Sequence, residues 1–101
     1  MPGIIEILSA QEGESGWTFQ VQQILPDGSL QSTRLTMSWQ EYDLYCPDGA
    51  VPPEGVARAV AEVAAEMWPR GLPPRLDAST LRRHSPGADA RVAERVDLRA
   101  M

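Results

Sequence analysis

The chain has 101 residues and a mass of 11.1 kDa, enough for one ordinary domain but not for a catalytic domain with a separate regulatory one. Apolar residues make up 43% of it, so a modest core can form without disulfides. Nine arginines and no lysine stand against fourteen acidic residues, and the net charge of −5 disfavours a protein that binds polyanions over its whole surface. We therefore expect a single domain over residues 1–101.

The chain has too few cysteines and histidines for an internal disulfide or a structural zinc site. Cys46 is its single cysteine and His84 its single histidine. The apolar run over residues 4–8 is interrupted by Glu6 and has no basic residue before it, which is not the pattern of a signal peptide. No stretch approaches the ~18 apolar residues of a membrane span. The sequence predicts a cytoplasmic protein with no cofactor, no metal and no membrane contact.

An antiparallel sheet is predicted over residues 4–37. Residues 4–10 favour a first strand, and the polar, glycine-rich stretch 12–16 favours a turn. From Trp17 onward apolar and polar residues alternate, so Trp17, Phe19 and Val21 share one face of a second strand. One face of this strand is therefore expected to be buried.

The segment 25–29, Leu-Pro-Asp-Gly-Ser, is typical of a hairpin turn. If its two ends pair, Phe19 lies opposite Leu35, and the apolar residues of both strands fall on one face. Ile24 and Leu30 then pair on the other face, near the turn. The same register places Trp17 opposite Met37 and Val21 opposite Thr33.

Two helices are predicted over residues 38–68. Ser38 and Glu41 fit a capping box, which indicates a short helix over about 39–45. A longer helix is predicted over 53–68, because prolines precede it and Pro69 ends it. Its apolar residues recur at helical spacing at Val56, Val60, Val63 and Met67.

The last third of the chain is predicted to be a connection followed by helices. Residues 69–75 are rich in proline and indicate an extended connection. Asp77 can cap one helical turn over 78–83, and a last helix is predicted over about 86–96. We expect the last five residues to be frayed.

These elements predict an α+β fold, a three-stranded antiparallel meander packed against one main helix, with short flanking helices and a C-terminal helical segment along the sheet edge. Residues 4–37 form the sheet, 38–68 the helices, and 69–101 a proline-rich connection with an arginine-bearing helical tail. A three-stranded sheet has two open edges, so pairing of two copies through the first strand would give a homodimer.

Charge is divided unevenly along the chain. Residues 1–66 carry a net charge of −8 and residues 67–101 a net charge of +3. Complementary charges within the molecule would explain this division, and so would a basic tail that meets an acidic partner. In the tail, Arg91, Arg95 and Arg99 recur every four residues, a spacing that also suits contacts with nucleic-acid phosphates.

The aromatic residues add candidates for a binding surface. The patterns favour core positions for the three tryptophans, and an exposed one would indicate an interface rather than a cofactor site. The predicted partner-binding residues are Arg82, Arg83, Arg91, Arg95, Trp39 and Trp68.

An enzyme is not predicted. The best catalytic hypothesis pairs Cys46 as nucleophile with His84 as base, with Asp43, Asp48 or Asp77 orienting the imidazole. No sequence signature surrounds either residue, and a single cysteine in a turn is more often a small buried residue. No catalytic, cofactor-binding or metal-binding residue is therefore assigned.

The order of motifs resembles a family of small uncharacterised bacterial proteins of about this length. The resemblance covers most of residues 17–96 and depends on a strand ending in Leu35-Thr36-Met37-Ser38 before Tyr42, a helix from Pro53, then Leu72-Pro73, Leu76-Asp77 and His84-Ser85-Pro86. That family usually has an aromatic residue before the last proline, where this chain has His84-Ser85. The resemblance implies a module of its own and transfers no functional residue, because no activity is known for the family.

The function we expect from the sequence is that of a non-enzymatic cytoplasmic module that binds another protein, or a second copy of itself. The alternative is binding of nucleic acid or nucleoprotein through the arginine-bearing C-terminal helix.

Overall fold

Four strands and four helices make up residues 4–100, the part of the chain that the computed structural model describes. The strands form one mixed sheet in the order β1-β2-β3-β4. The elements are β1 Ile4–Glu12, β2 Gly16–Ile24, β3 Leu30–Ser38, α1 Trp39–Tyr45, α2 Pro53–Met67, β4 Arg75–Asp77, α3 Thr80–His84 and α4 Ala88–Ala100. The α+β class is confirmed, but the sheet has one strand more than predicted.

The hairpin of β2 and β3 has the predicted register. Phe19 lies opposite Leu35, and the two strands stay paired without a break from the turn to their far ends. The turn is closed by two backbone bonds, in which the Leu25 amide donates to the Ser29 carbonyl at 2.9 Å and the Gly28 amide to the Leu25 carbonyl at 2.8 Å. A turn signal and two hydrophobic patterns that agree with one another were sufficient to fix this register.

β1 pairs antiparallel with β2 and runs two residues beyond its predicted end. Ile7 lies opposite Val21 and Ser9 opposite Gln20, so Leu8 is an extra residue in the strand. This β-bulge bends the edge strand and leaves Leu8 exposed.

β4 is the strand that the sequence does not reveal. Residues 69–75 are predicted to be a connection, but Arg75–Asp77 pairs in parallel with β3, and the Arg34 amide donates to the Pro74 carbonyl at 2.8 Å. The strand has only one buried residue, Leu76, so its sequence has no alternation to detect. The predicted meander is therefore extended by a parallel fourth strand.

α1 and α2 lie where they are predicted. The Glu41 amide donates to Ser38 Oγ at 3.1 Å and so begins α1 as the capping box requires. Among the described residues the second half of the capping box is not formed, and the Glu41 carboxylate accepts a bond of 2.6 Å from Arg82. α2 begins at Pro53 and ends at Met67, within one residue of the predicted bounds.

α3 and α4 differ from their predicted bounds. α3 begins at Thr80 because Asp77 belongs to β4, where its carboxylate accepts bonds from Thr36 Oγ1 at 2.5 Å and from the Ser79 amide at 3.0 Å. α4 continues to Ala100, so residues 97–100, which the sequence predicts to be frayed, have helical structure, and Met101 lies outside the described residues.

α4 packs against helices and not along the sheet edge as predicted. α2 contacts β1, β2 and β3 on one side and α4 on the other, and α4 also contacts α1 and α3. Buried alanines such as Ala59 and Ala61, which helical geometry places on nearly opposite sides of α2, allow both neighbours to approach closely. The edge beside β3 is taken by β4.

The two faces of the sheet differ sharply in exposure. The face beneath α2 presents buried residues, among them Phe19 and Leu35, to the single core cluster. The opposite face carries the alternate residues, of which Gln20, Ser32 and Arg34 are exposed. We call this second face the open face.

Candidate interaction surface

The arginines of α4 form ion pairs with α2. Arg91 pairs with Glu66, and Arg95 lies 2.6 Å from Glu66 and 3.5 Å from Glu62. Arg99 completes the row at 3.0 Å from Glu62. In these two helices, the acidic and basic residues that are separated along the sequence therefore pair with each other within the molecule. Partner-binding roles for Arg91 and Arg95 remain predictions, and their charges already have acidic neighbours.

Arg82 joins three helices through a network of polar contacts. Its guanidinium binds Glu41 of α1 at 2.6 Å and Asp89 of α4 at 2.8 Å. Asp89 also accepts a bond of 2.8 Å from the hydroxyl of Tyr45, which is only 1% exposed. Burial and the bond to Asp89 raise the pKa of Tyr45 far above its ordinary value, and the two carboxylates raise the pKa of Arg82. Arg82, like Arg91 and Arg95, thus forms contacts within the molecule, and its partner-binding role remains a prediction.

The other predicted partner-binding residues lie in different surroundings. Trp39 is 38% exposed, packs edge-on against Trp17 and donates its indole N–H to the Glu14 carbonyl at 3.1 Å. Trp68 is half-buried and packs edge-on against His84 at the end of α2. Arg83 is exposed on α3. The two tryptophans thus belong to separate aromatic contacts.

Cys46 and His84 have different neighbours. The Cys46 thiol is buried, accepts from the Val51 amide at 3.4 Å and lies 3.5 Å from an Asp48 oxygen. His84 is exposed and packs against Trp68. The contacts of the two residues do not bring them together as a nucleophile and its base.

The open face has an apolar row at the end nearest the β2–β3 turn. Ile4, Ile24 and Leu30 are register partners across three strands and point to the same side. Ile4 is 62% exposed and Leu30 60% exposed, with Ile24 half-buried between them. These three adjacent branched side chains form an exposed apolar row, which makes this end of the open face a candidate for an interaction surface.

Two arginines lie side by side further along the same face. Arg34 of β3 and Arg75 of β4 are register partners, and both are exposed. The next residues along these strands, Leu35 and Leu76, are buried, so the two arginines point to the open face. Within residues 4–100 neither arginine forms an ion pair.

Hydroxyl groups and Asp77 line a pocket of about 160 Å³ at the far end of the open face, formed in part by Thr18, Thr36 and Ser38. Burial would raise the pKa of Asp77, but hydrogen bonds from Ser79 and Thr36 outweigh it and hold the pKa below its ordinary value. The carboxylate is therefore the form that the folded state stabilises.

We expect Asp77 to make the protein sensitive to acid. A carboxylate whose pKa is lower in the folded state stabilises the fold above its unfolded pKa of 3.8, and this contribution disappears as the pH falls through the folded value. Melting temperatures measured from neutral pH to strong acid should fall less steeply for Asp77→Asn than for the wild type. Equal slopes would show that the hydrogen bonds of Asp77 do not favour its charged form.

The free edge of β1 borders a groove of about 400 Å³ beside α2. Glu6, Leu8 and Arg99 are among its lining residues. Arg58 reaches across from α2 and donates to the Ile5 carbonyl at 2.7 Å. A second copy that paired along this edge would have to displace that bond and follow the bulge, so the predicted β1-mediated homodimer gains no support from the edge geometry.

The described residues, 4–100, contain no cluster of three or more potential metal ligands. Among the same residues no helix has the length and apolar character needed to cross a membrane. No family model, curated protein or solved structure matches the chain. The resemblance to a family of small bacterial proteins therefore remains a prediction.

Proposed function

We propose that this protein is a non-enzymatic interaction module that binds an acidic segment of another protein on the open face of its sheet. The observation that carries the proposal is the pattern of this face, with an apolar row at one end and the adjacent Arg34 and Arg75 further along. A partner that combines apolar and acidic side chains complements both features.

The alternation of the strands accounts for this surface. In β2 and β3 the residues that face the helices form the core, so the remaining residues are free to serve a contact. Gln22 and Ser32, which are register partners, fill the space between the apolar row and Arg34 with uncharged hydrogen-bonding groups, and Gln20 lies beside Arg34. Such a mixture of an apolar patch and a polar surround is typical of non-obligate protein interfaces.

Nucleic acid is the less favoured occupant. The arginines of α4 that suggest it are paired with Glu62 and Glu66, and none of the described residues of β2 and β3 that alternate onto the open face is an aromatic on which a base could stack. The net charge of −5 opposes it further.

The proposal can be tested with synthetic peptides in which leucine alternates with glutamate, glutamine or lysine. We expect isothermal calorimetry to show binding of the glutamate peptide that weakens roughly tenfold in Leu30→Ser, because one exposed leucine loses its apolar contact. Leu98→Ser is the matched control, since Leu98 of α4 is 66% exposed but lies outside the sheet. Its affinity should equal that of the wild type.

Three outcomes would contradict the proposal. The first is that none of the peptides binds. The second is that DNA or RNA binds at low salt and is lost as the salt concentration rises. The third is a dimer in sedimentation equilibrium that Leu30→Ser abolishes, which would show that a second copy covers the open face.

A further inference from the structure

We infer that Arg34 and Arg75 together bind one carboxylate of the partner, an inference that rests on the proposed function and specifies its chemistry. The two residues lie on neighbouring strands, which are about 4.8 Å apart in a sheet. Arginine side chains that start from adjacent positions on neighbouring strands can bring their guanidinium groups to one carboxylate, each donating to one oxygen.

The remaining arginines show how unusual this pair is. Five of the nine bind an acceptor within residues 4–100, since Arg58 donates to a backbone carbonyl and the other four to carboxylates. Four have no such contact there, namely Arg34, Arg70, Arg75 and Arg83. Of these, only Arg34 and Arg75 are register partners in a sheet.

Like charges directly opposite each other on neighbouring strands destabilise a sheet. In the free protein the placement of Arg34 and Arg75 as register partners therefore has an electrostatic cost. An anion placed between the two guanidiniums removes that cost and gains two charge-assisted hydrogen bonds. Gln20, the register partner of Arg34 on β2, adds an amide group beside them.

A protein carboxylate is the anion that the rest of the face favours. The apolar row lies on the same face two register steps along β3, so a segment with alternating acidic and apolar residues can reach both. Glu6, at the other side of the face on β1, would repel an extended polyanion that crossed the whole sheet. A single acidic side chain avoids that repulsion.

The test compares peptides that alternate leucine with glutamate or with glutamine, titrated into wild type, Arg34→Gln and Arg75→Gln. We expect the glutamate peptide to bind each variant roughly tenfold more weakly, because a charge-assisted hydrogen bond is lost. Binding of the glutamine peptide should be weaker in the wild type and unchanged in both variants. Arg70→Gln, which removes an exposed arginine outside the sheet, should behave as the wild type.

Thermal unfolding of the free variants provides a second readout. If the two arginines repel each other, Arg75→Gln has a melting temperature equal to or above that of the wild type. A melting temperature that falls while peptide binding is retained would assign Arg75 a structural role and overturn the inference.

The outcomes separate this inference from the proposed function. In one outcome, the glutamate and glutamine peptides bind equally, and both arginine variants bind them as the wild type does. The inference that Arg34 and Arg75 bind a carboxylate is then wrong, while the proposal that the open face binds a partner still stands. If no peptide binds any form of the protein, the proposed function itself fails.

Discussion

Replacing Gly16 with alanine is expected to destabilise the fold by on the order of 3 kcal/mol and to lower the melting temperature by roughly 10 °C or more. Gly16 is the first residue of β2 and lies opposite Ser38, the last residue of β3. A Cβ atom on Gly16 would overlap the backbone carbonyl of Met37. Backbone on a paired strand cannot move aside as a flexible side chain can, so the strands must separate at this end.

Gly13 provides the matched control for this substitution. It lies in the same β1–β2 turn, but a Cβ atom there would meet nothing closer than the Gly16 carbonyl oxygen at 3.8 Å. We expect Gly13→Ala to change the free energy of unfolding by less than about 1 kcal/mol. Equal effects of the two substitutions, measured by urea denaturation, would contradict the close approach at Gly16.

Replacing Asp89 with alanine is expected to cost about 2–3 kcal/mol of stability, the second largest effect. The substitution removes the acceptor for both the Tyr45 hydroxyl and Arg82 Nε, which each lie 2.8 Å from an Asp89 oxygen. The hydroxyl is then left without a partner in an almost fully buried position. Because the network joins α1, α3 and α4, all three helices should lose protection against amide hydrogen exchange.

Two further variants separate the charge of Asp89 from its hydrogen bonds. Asp89→Asn keeps an oxygen for the Tyr45 hydroxyl and should lose about half as much stability as Asp89→Ala. Asp97→Ala removes an exposed carboxylate from the same helix and should leave the melting temperature within a degree or two. A loss at Asp97 as large as that at Asp89 would show that net charge, and not the network, determines the effect.

The elements defined by local patterns could be predicted well. The hairpin register follows from a turn sequence and from alternation in two strands, and α2 follows from helical spacing between prolines. These signals lie within a few residues of the structure they specify. The uneven division of charge along the chain also has a structural counterpart, because the arginines of α4 lie against the acidic side of α2.

The elements defined by distant contacts could not be predicted. β4 is accompanied by contacts just before it, where the Leu72 amide donates to Gln23 Oε1 and Thr33 Oγ1 donates to the Pro73 carbonyl, both at 2.9 Å. Nothing within β4 itself indicates this pairing. The same reason applies to the arginine pair, since residues 34 and 75 become neighbours only when β4 joins β3. The arginine pair of the candidate surface therefore depended on the strand that the sequence does not show, whereas the pairing of Ile24 with Leu30 in the apolar row follows from the predicted hairpin register.

The bond from Arg58 to the Ile5 carbonyl and the bulge at Leu8 have a consequence for solubility at high concentration. An uncovered edge strand can recruit further chains one after another and so start fibril growth. Here one outward carbonyl already accepts a bond and a bulge interrupts the register a few residues later, so regular pairing of further chains along this edge is disfavoured. Although Ile4 of the exposed apolar row belongs to β1, the edge of that strand is therefore a poor template for fibril growth.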